Sequence, residues 1–141
     1  MMRLTTIVTI ALAVLLGGCA QRYRPIYNVD RAMPAGVERL SPERLRDVIV
    51  ASGKQLEWSM TPIAPGHIEA TEKTEKFSAT VDIYYTPARL QILIKSTVNL
   101  MQTATTVHAH YNLWVGNLEA GIISNLTAVV PAAAVPAARG K

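Results

Sequence analysis

The amino-acid sequence predicts an α+β domain of two layers, in which a four-stranded antiparallel meander packs on two helices in the order α-β-β-β-β-α. Three patterns predict this fold. A helix start signal stands at residue 41, apolar and polar residues alternate through four short segments between residues 56 and 97, and apolar residues recur at helical spacing from 106 to 129. Because the alternation places apolar side chains on one side of each strand, we expect one face of the sheet to be buried and the other to face water.

The first helix is expected to begin at Ser41, a residue type that commonly caps helix N-termini. Pro42 suits the first helical position, and Glu43 complements the helix dipole in the first turn. Gly53 is expected to end the helix. The apolar stripe of this helix consists of Leu45, Val48 and Ile49.

Four strands are expected after this helix, at residues 56–60, 67–71, 77–85 and 90–95. The turns and polar loops that separate them are predicted at residues 62–66, 72–76 and 86–88. The water-facing side of the sheet is expected to carry Ser78, Thr80, Asp82, Tyr84, Gln91, Leu93, Lys95 and Thr97.

A second helix is expected from residue 106 to residue 129. Its apolar stripe consists of Tyr111, Trp114, Val115, Leu118, Ile122 and Leu126. Gly116 and Gly121 lie within this helix, where a glycine costs roughly 1 kcal/mol relative to alanine. We therefore expect close packing at both glycines, either on the sheet or against another chain.

These elements give a single predicted domain at residues 41–129. Residues 19–40 precede it and have the composition of a tether, with two prolines, a glycine and several arginines. Residues 130–141 follow it as an alanine- and proline-rich tail, which is expected to be disordered because it cannot form a core.

Residues 1–18 have the features of a secretory leader. The apolar run at 4–16 follows the basic Arg3 and is too short to span a bilayer, which takes about 20 residues, but it has the length of a signal-peptide core. The segment Leu16-Gly17-Gly18-Cys19 resembles the lipobox of bacterial lipoproteins. This resemblance implies cleavage between Gly18 and Cys19, attachment of diacylglycerol to the Cys19 thiol, and acylation of the new amino group.

The membrane is therefore an expected partner, through lipid on Cys19, since two or more acyl chains give stable anchoring. In bacterial lipoproteins an aspartate after the cysteine tends to retain the protein in the inner membrane. Here that residue is Ala20. The resemblance therefore implies an outer-membrane location with the domain facing the periplasm, and the inner membrane is the alternative.

Composition excludes several kinds of chemistry. Cys19 is the one cysteine, so the mature chain has no disulfide, no thiolate metal site and no cysteine nucleophile. The formal net charge is +4, and loss of the one charged residue of the leader, Arg3, reduces it to +3. This excess is small and scattered, and we expect no nucleic-acid partner.

The candidate catalytic and metal-binding residues are interpreted as structural. His108 and His110 form a His-x-His pair that two strand residues could use for a metal. We expect both near a helix start, where residues two apart do not share a face. Glu69 and Asp82 fall on outward strand positions, and Glu72 belongs to the solvated hairpin. We therefore predict no catalytic residues, no metal site and no cofactor.

Three further segments resemble a group of small proteobacterial lipoproteins. They are Ala79-Thr80-Val81-Asp82-Ile83-Tyr84-Tyr85, then Ser96-Thr97-Val98-Asn99-Leu100, then Tyr111-Asn112-Leu113-Trp114-Val115. We associate no activity with that group. The resemblance therefore implies a location and a fold, and no catalytic residues.

We expect a non-enzymatic binding or envelope-assembly module. Tyr84, Leu93, Asp82 and Lys95 are the predicted partner-binding residues on the water-facing side of the sheet, and an envelope protein is the expected partner. One alternative is an inhibitor of a wall-degrading enzyme or protease, acting through an exposed turn at 62–66 or 86–88; this is an analogy of fold. A small hydrolase is a third possibility and requires a pocket that joins His67 or His108 to an acid.

Overall fold

The structure, a computed structural model, describes residues 22–131 and confirms the predicted α+β class. Its helices are α1 (Pro42–Gln55) and α2 (Ala109–Val129), and a short 3-10 turn covers Val37–Arg39. The strands are β1 (Tyr23–Pro25), β2 (Val29–Ala32), β3 (Ser59–Ala64), β4 (His67–Lys73), β5 (Ser78–Tyr85), β6 (Arg89–Val98) and β7 (Thr106–His108). The leader, the Gly18–Cys19 cleavage site and residues 132–141 lie outside the described residues.

The predicted meander is present as β3 to β6, all antiparallel. Its first strand was expected at residues 56–60 and its first turn at 62–66; both expectations are wrong, since β3 runs from Ser59 to Ala64 and the turn consists of Pro65 and Gly66. It lies within a five-stranded sheet of order β2-β6-β5-β4-β3, while β1 and β7 form a separate two-stranded ribbon. Alternation places one set of side chains in the core between sheet and helices. In β5 the core-facing residues are Ala79, Val81, Ile83 and Tyr85.

The first helix begins as predicted, because the Ser41 side chain accepts a hydrogen bond from the Arg44 backbone N–H at 3.1 Å. The expectation that Gly53 ends this helix is wrong, since α1 continues to Gln55. Gly53 instead serves close packing. A Cβ at this position would collide with the side chain of buried Met60 on β3.

The second helix begins three residues later than predicted, at Ala109. Residues 106–108 form β7, which pairs antiparallel with β1. The helix is capped by His108, whose Nδ1 accepts a hydrogen bond from the His110 backbone N–H at 3.2 Å. The cap and the strand pairing together fix where the helix starts.

The segment predicted as a tether belongs to the fold from residue 22 onward. It supplies β1 and β2, and its apolar residues Val29, Met33 and Val37 are buried in the core. β2 extends the sheet along β6, with Val29 opposite Ile92. The segment is incorporated because these apolar side chains cover the edge of the core, which the meander and helices leave open.

Candidate functional site

The side of the sheet that faces away from the helices forms the candidate site, and we call it the outer face. None of its side chains on β4, β5 and β6 is buried. Its members are His67, Glu69, Thr71, Lys73, Ser78, Thr80, Asp82, Tyr84, Arg89, Gln91, Leu93, Lys95, Ser96 and Val98. Along each strand, the residues of such an open face alternate with the residues of the buried face.

Strand register brings the four predicted partner-binding residues onto this one face. Asp82 lies opposite Leu93, and Tyr84 lies opposite Gln91 on β6. The Lys95 Nζ is 2.6 Å from the Glu69 Oε2 and 3.7 Å from the Asp82 Oδ1. Leu93 is half-buried among these polar groups, and Tyr84 is 40% exposed.

An irregularity in the pairing of β5 and β6 changes which β6 residues lie on the outer face. Val81 pairs with Ile94, but Thr80 pairs with Ser96, so Lys95 is an extra residue on β6. Such a bulge shifts the alternation by one residue. Thr97, which was expected on the water-facing side, therefore pairs with the core residue Ala79, and that expectation is wrong.

His67 is the principal residue that sequence reasoning did not assign to this face. Its Nε2 lies 2.7 Å from the Asp82 Oδ1, and its ring stacks on Tyr84 with centroids 4.5 Å apart and planes inclined by 20°. The pairs His67–Tyr84 and Glu69–Asp82 follow from the register of the β4–β5 hairpin. The signal that could have revealed the contact is therefore the hairpin register, since directly opposite side chains share a face.

The charges of the outer face are largely paired with each other. The hydrogen bond to Glu69 raises the pKa of Lys95 above its ordinary value, and the nearby Asp82 adds to the effect. At the β2 edge, Arg89 donates two hydrogen bonds of 2.6 Å to Asp30, and these lower the pKa of that carboxyl. Because cations and anions alternate on the surface, the face has no large field of one sign.

The structure corrects the interpretation of Glu72 as part of a solvated hairpin. It belongs to β4 and lies on the core side, opposite the core residue Ala79. Its Oε2 is buried without a hydrogen-bond partner. Burial raises the pKa of this carboxyl, and the nearby Glu57 raises it further.

The two histidines of the His-x-His pair lie at the start of α2, as predicted. Their ring centroids are 4.8 Å apart, and the Nδ1 of His108 is already used by the helix cap. Within residues 22–131, no cluster of three or more His, Cys, Asp or Glu side chains is placed to hold a metal ion.

Asn99 and Asn112 have structural roles. Asn99 adopts a left-handed backbone conformation with φ of 60°, which asparagine tolerates well, and its side chain donates to the Lys76 carbonyl at 2.7 Å. Asn112 holds the N-terminal segment on α2. Its amide accepts a hydrogen bond from the Tyr27 N–H at 3.0 Å and donates one to the Pro25 carbonyl at 2.9 Å.

The two helix glycines differ in their surroundings. A Cβ at Gly121 would lie 3.0 Å from the side chain of Leu56, the residue that follows α1, so the second helix packs closely on the end of the first. A Cβ at Gly116 would meet no described atom within 4 Å. Close packing is therefore found at Gly121, but against the end of α1 and not on the sheet as expected, and it is not found at Gly116.

A cleft of about 320 Å³ lies at the end of the domain where α1 begins. It is formed by the α1 residues Glu43 and Arg46, by Tyr85, and by residues 62–66, which span the end of β3 and the turn into β4. The His67–Asp82 pair is not part of this cleft and lies on the outer face.

No family model, curated protein or solved structure matches the chain. Among the helices of residues 22–131, none combines the length and the apolar character that crossing a membrane requires.

Proposed function

We propose that the protein is a non-enzymatic lipoprotein of the bacterial outer membrane, anchored through lipid on Cys19, and that its outer face binds another protein of the envelope. The lipobox-like Leu16-Gly17-Gly18-Cys19 behind a short apolar leader supports the anchor and the periplasmic orientation. The open outer face supports the binding role.

The observation that carries the binding role is the fixed position of Tyr84. This ring is 40% exposed, and the imidazole of His67 that stacks on it is itself held by Asp82. An aromatic side chain that is ordered before binding loses little conformational entropy when a partner covers it. Aromatic anchors surrounded by polar groups are typical of energetically important interface positions.

The charges indicate the class of partner. Lys95 is paired with Glu69, and Arg89 with Asp30. A surface whose cations are already neutralised does not attract nucleic acid or another polyanion. It suits a protein surface with polar groups and one complementary apolar pocket, into which Tyr84 and the neighbouring Leu93 can insert.

Photo-crosslinking in living cells tests this proposal. A photoreactive amino acid replaces Tyr84 or Leu93 in the full lipidated protein, with a control at exposed Ser124 on α2. We expect one envelope protein to be captured from the two outer-face positions and not from the control. Absence of capture from both positions, or the same captures from all three, contradicts the binding role. Soluble release of a Cys19→Ala variant is expected, and its continued membrane association contradicts the anchor.

An inhibitor of an envelope hydrolase is the second candidate, and the turn between β3 and β4 favours it. Ile63 is 54% exposed on β3, next to the two-residue turn Pro65–Gly66, and a hydrogen bond of 3.0 Å from the Tyr85 N–H to the Gly66 carbonyl ties this turn to β5. A held hairpin end with an exposed apolar residue suits insertion into an enzyme cleft. Capture of a hydrolase from position 63, with none from positions 84 and 93, selects this function.

A further inference from the structure

We infer that one end of the domain rests on the surface of an anionic lipid bilayer; the inference depends on the Cys19 anchor of the proposed function. This β1–β7 end comprises β1 and β7, residues 99–105 that lead into β7, and the first two turns of α2. Four observations point to it: the length of chain from the anchor, the exposed apolar residues, the aromatic cluster and the local charge.

The chain between the anchor and the fold is short. Cys19 precedes Arg22 by three residues, and three Cα–Cα steps of about 3.8 Å reach at most about 11 Å. The fold holds the chain from this point, since the Ala109 N–H donates to the Arg22 carbonyl at 2.9 Å and β1 begins at Tyr23. The headgroup layer of one leaflet is itself roughly 5–8 Å thick. The β1–β7 end therefore cannot leave the neighbourhood of the membrane.

Exposed apolar side chains are concentrated at this same end. The two most exposed large apolar residues of the described chain lie here, Met101 at 62% and Leu113 at 59%. Single exposed apolar residues are common on protein surfaces. Their concentration beside the anchored terminus indicates a surface that is covered when the protein is on its membrane.

The rings of Phe77, His108, His110 and Trp114 form a cluster at this end. Tyr23, which is 46% exposed, lies opposite His108 in the register of the β1–β7 ribbon. The His108 ring stacks with Phe77 and contacts His110, which in turn stacks with Trp114 at a centroid distance of 6.3 Å. Tyrosine and tryptophan are enriched at membrane–water interfaces because their rings are apolar and their tips are polar.

The local charge favours anionic lipid as the occupant. Arg22 and Arg24 flank Tyr23, and both are exposed. The first turn of α2 contains no acidic residue that would oppose this charge. Basic residues close to a bilayer are attracted by the negative surface potential of anionic lipids.

This orientation leaves the outer face free for a partner. The turns at 65–66 and 86–88 lie at the opposite end of the sheet, where β3 meets β4 and β5 meets β6. These turns therefore point away from the bilayer, and the plane of the outer face runs roughly parallel to the membrane normal.

Fluorescence quenching in vesicles tests the docked end. The full lipidated protein is reconstituted in vesicles of phosphatidylethanolamine with phosphatidylglycerol as the minor lipid, some of which carries a nitroxide quencher near the headgroup. Single cysteines are introduced as Met101→Cys or Leu113→Cys and labelled with a small fluorophore. Ile63→Cys, with 54% exposure at the opposite end, is the matched control. The thiol of Cys19 carries lipid and does not react with the label.

The inference requires loss of fluorescence at positions 101 and 113 and none at position 63. It also requires that the double variant Arg22→Glu, Arg24→Glu reduces this quenching while the protein still floats with the vesicles. Equal quenching at the three positions overturns the inference but leaves the anchor intact. A processed chain that fails to float with the vesicles overturns the anchor, and with it both the inference and the proposed function.

Discussion

The imidazole of His67 on β4 forms a hydrogen bond of 2.7 Å with Asp82 on β5 and stacks on the ring of Tyr84. This hydrogen bond therefore determines the position of an exposed aromatic ring. His67 and Asp82 are each about one-fifth exposed. The contact is therefore accessible to water, but it is sufficiently enclosed to hold a preferred geometry. Under the proposed function, this contact presents Tyr84 to a partner and only secondarily stabilises the fold.

Replacing His67 by alanine separates these two effects. The His67→Ala variant loses one hydrogen bond and one ring contact, and we expect the free energy of unfolding in urea to fall by about 1 kcal/mol. We expect a larger effect on Tyr84, whose ring resonances should show new conformational averaging by NMR. His110→Ala, a change at an exposed histidine of α2, should leave those resonances unchanged. An ordered Tyr84 ring in the His67→Ala variant would contradict this role for His67.

Glu72 should make stability depend on pH. Its folded-state pKa is raised by burial and by Glu57, so the folded protein binds a proton more tightly than the unfolded chain does. This contribution is fully present below the ordinary glutamate pKa of about 4.3 and is lost as the pH rises through the raised value. The Glu72→Gln variant should therefore be more stable than the native chain at neutral pH, and the difference should disappear on acidification.

Urea unfolding at several pH values measures this effect. Glu75→Gln, at an exposed position in the adjacent hairpin, is the matched control and should change stability little at any pH. A Glu72→Gln variant that is less stable than the native chain at neutral pH would show that the carboxylate has a stabilising partner.

The elements that sequence reasoning predicted are those encoded by local patterns. The Ser41–Pro42 start signal locates α1, and uninterrupted alternation locates β5. Tyr84 and Asp82 were placed on the water-facing side because, in a regular strand, alternation alone determines on which face each side chain lies.

The features that were missed depend on contacts between distant residues. β2 joins the sheet by pairing with β6, where Val29 lies opposite Ile92, and these two residues are far apart in the chain. The bulge at Lys95 has no local signature and reverses the facing of Thr97. His67 reaches Asp82 only through the register of the hairpin, which the expected strand at 67–71 did not specify.

Alanine substitutions at two helix glycines should have opposite effects. Gly53→Ala forces a Cβ into the buried Met60 side chain, and such overpacking typically costs about 1–3 kcal/mol, which exceeds the gain in helix propensity. Gly116→Ala meets no described atom within 4 Å and should raise the free energy of unfolding by up to about 1 kcal/mol. Urea unfolding of both variants measures the difference, and equal signs would contradict the packing described at Gly53.

Asn112 should control the local stability of the N-terminal segment. The Asn112→Ala variant loses the hydrogen bonds to Tyr27 and Pro25. We expect faster amide hydrogen exchange across β1 and β2, with a smaller change in the core strand β5. Asn117→Ala, at an exposed position of the same helix, is the control and should leave this exchange pattern unchanged.

A further prediction concerns the second contact between this segment and α2. Glu119 accepts hydrogen bonds from the Tyr27 hydroxyl at 2.6 Å and from Arg31 at 3.0 Å. Glu119→Gln should therefore accelerate exchange mainly in β2, because that strand carries Arg31. Unchanged exchange in β2 would show that pairing with β6 alone holds this strand.

The most direct test of the central claim is the yield of photo-crosslinking from position 93 in cells, compared between the otherwise native protein and its Tyr84→Ala variant. Leu93 lies beside Tyr84 on the outer face, so a probe at position 93 stays on the same surface when Tyr84 is replaced. We predict capture of one envelope protein in the native background and loss of that capture when Tyr84 is removed, with the amount of membrane-bound protein unchanged. Equal capture in both backgrounds, or none in either, would contradict the claim that Tyr84 anchors a partner on this face.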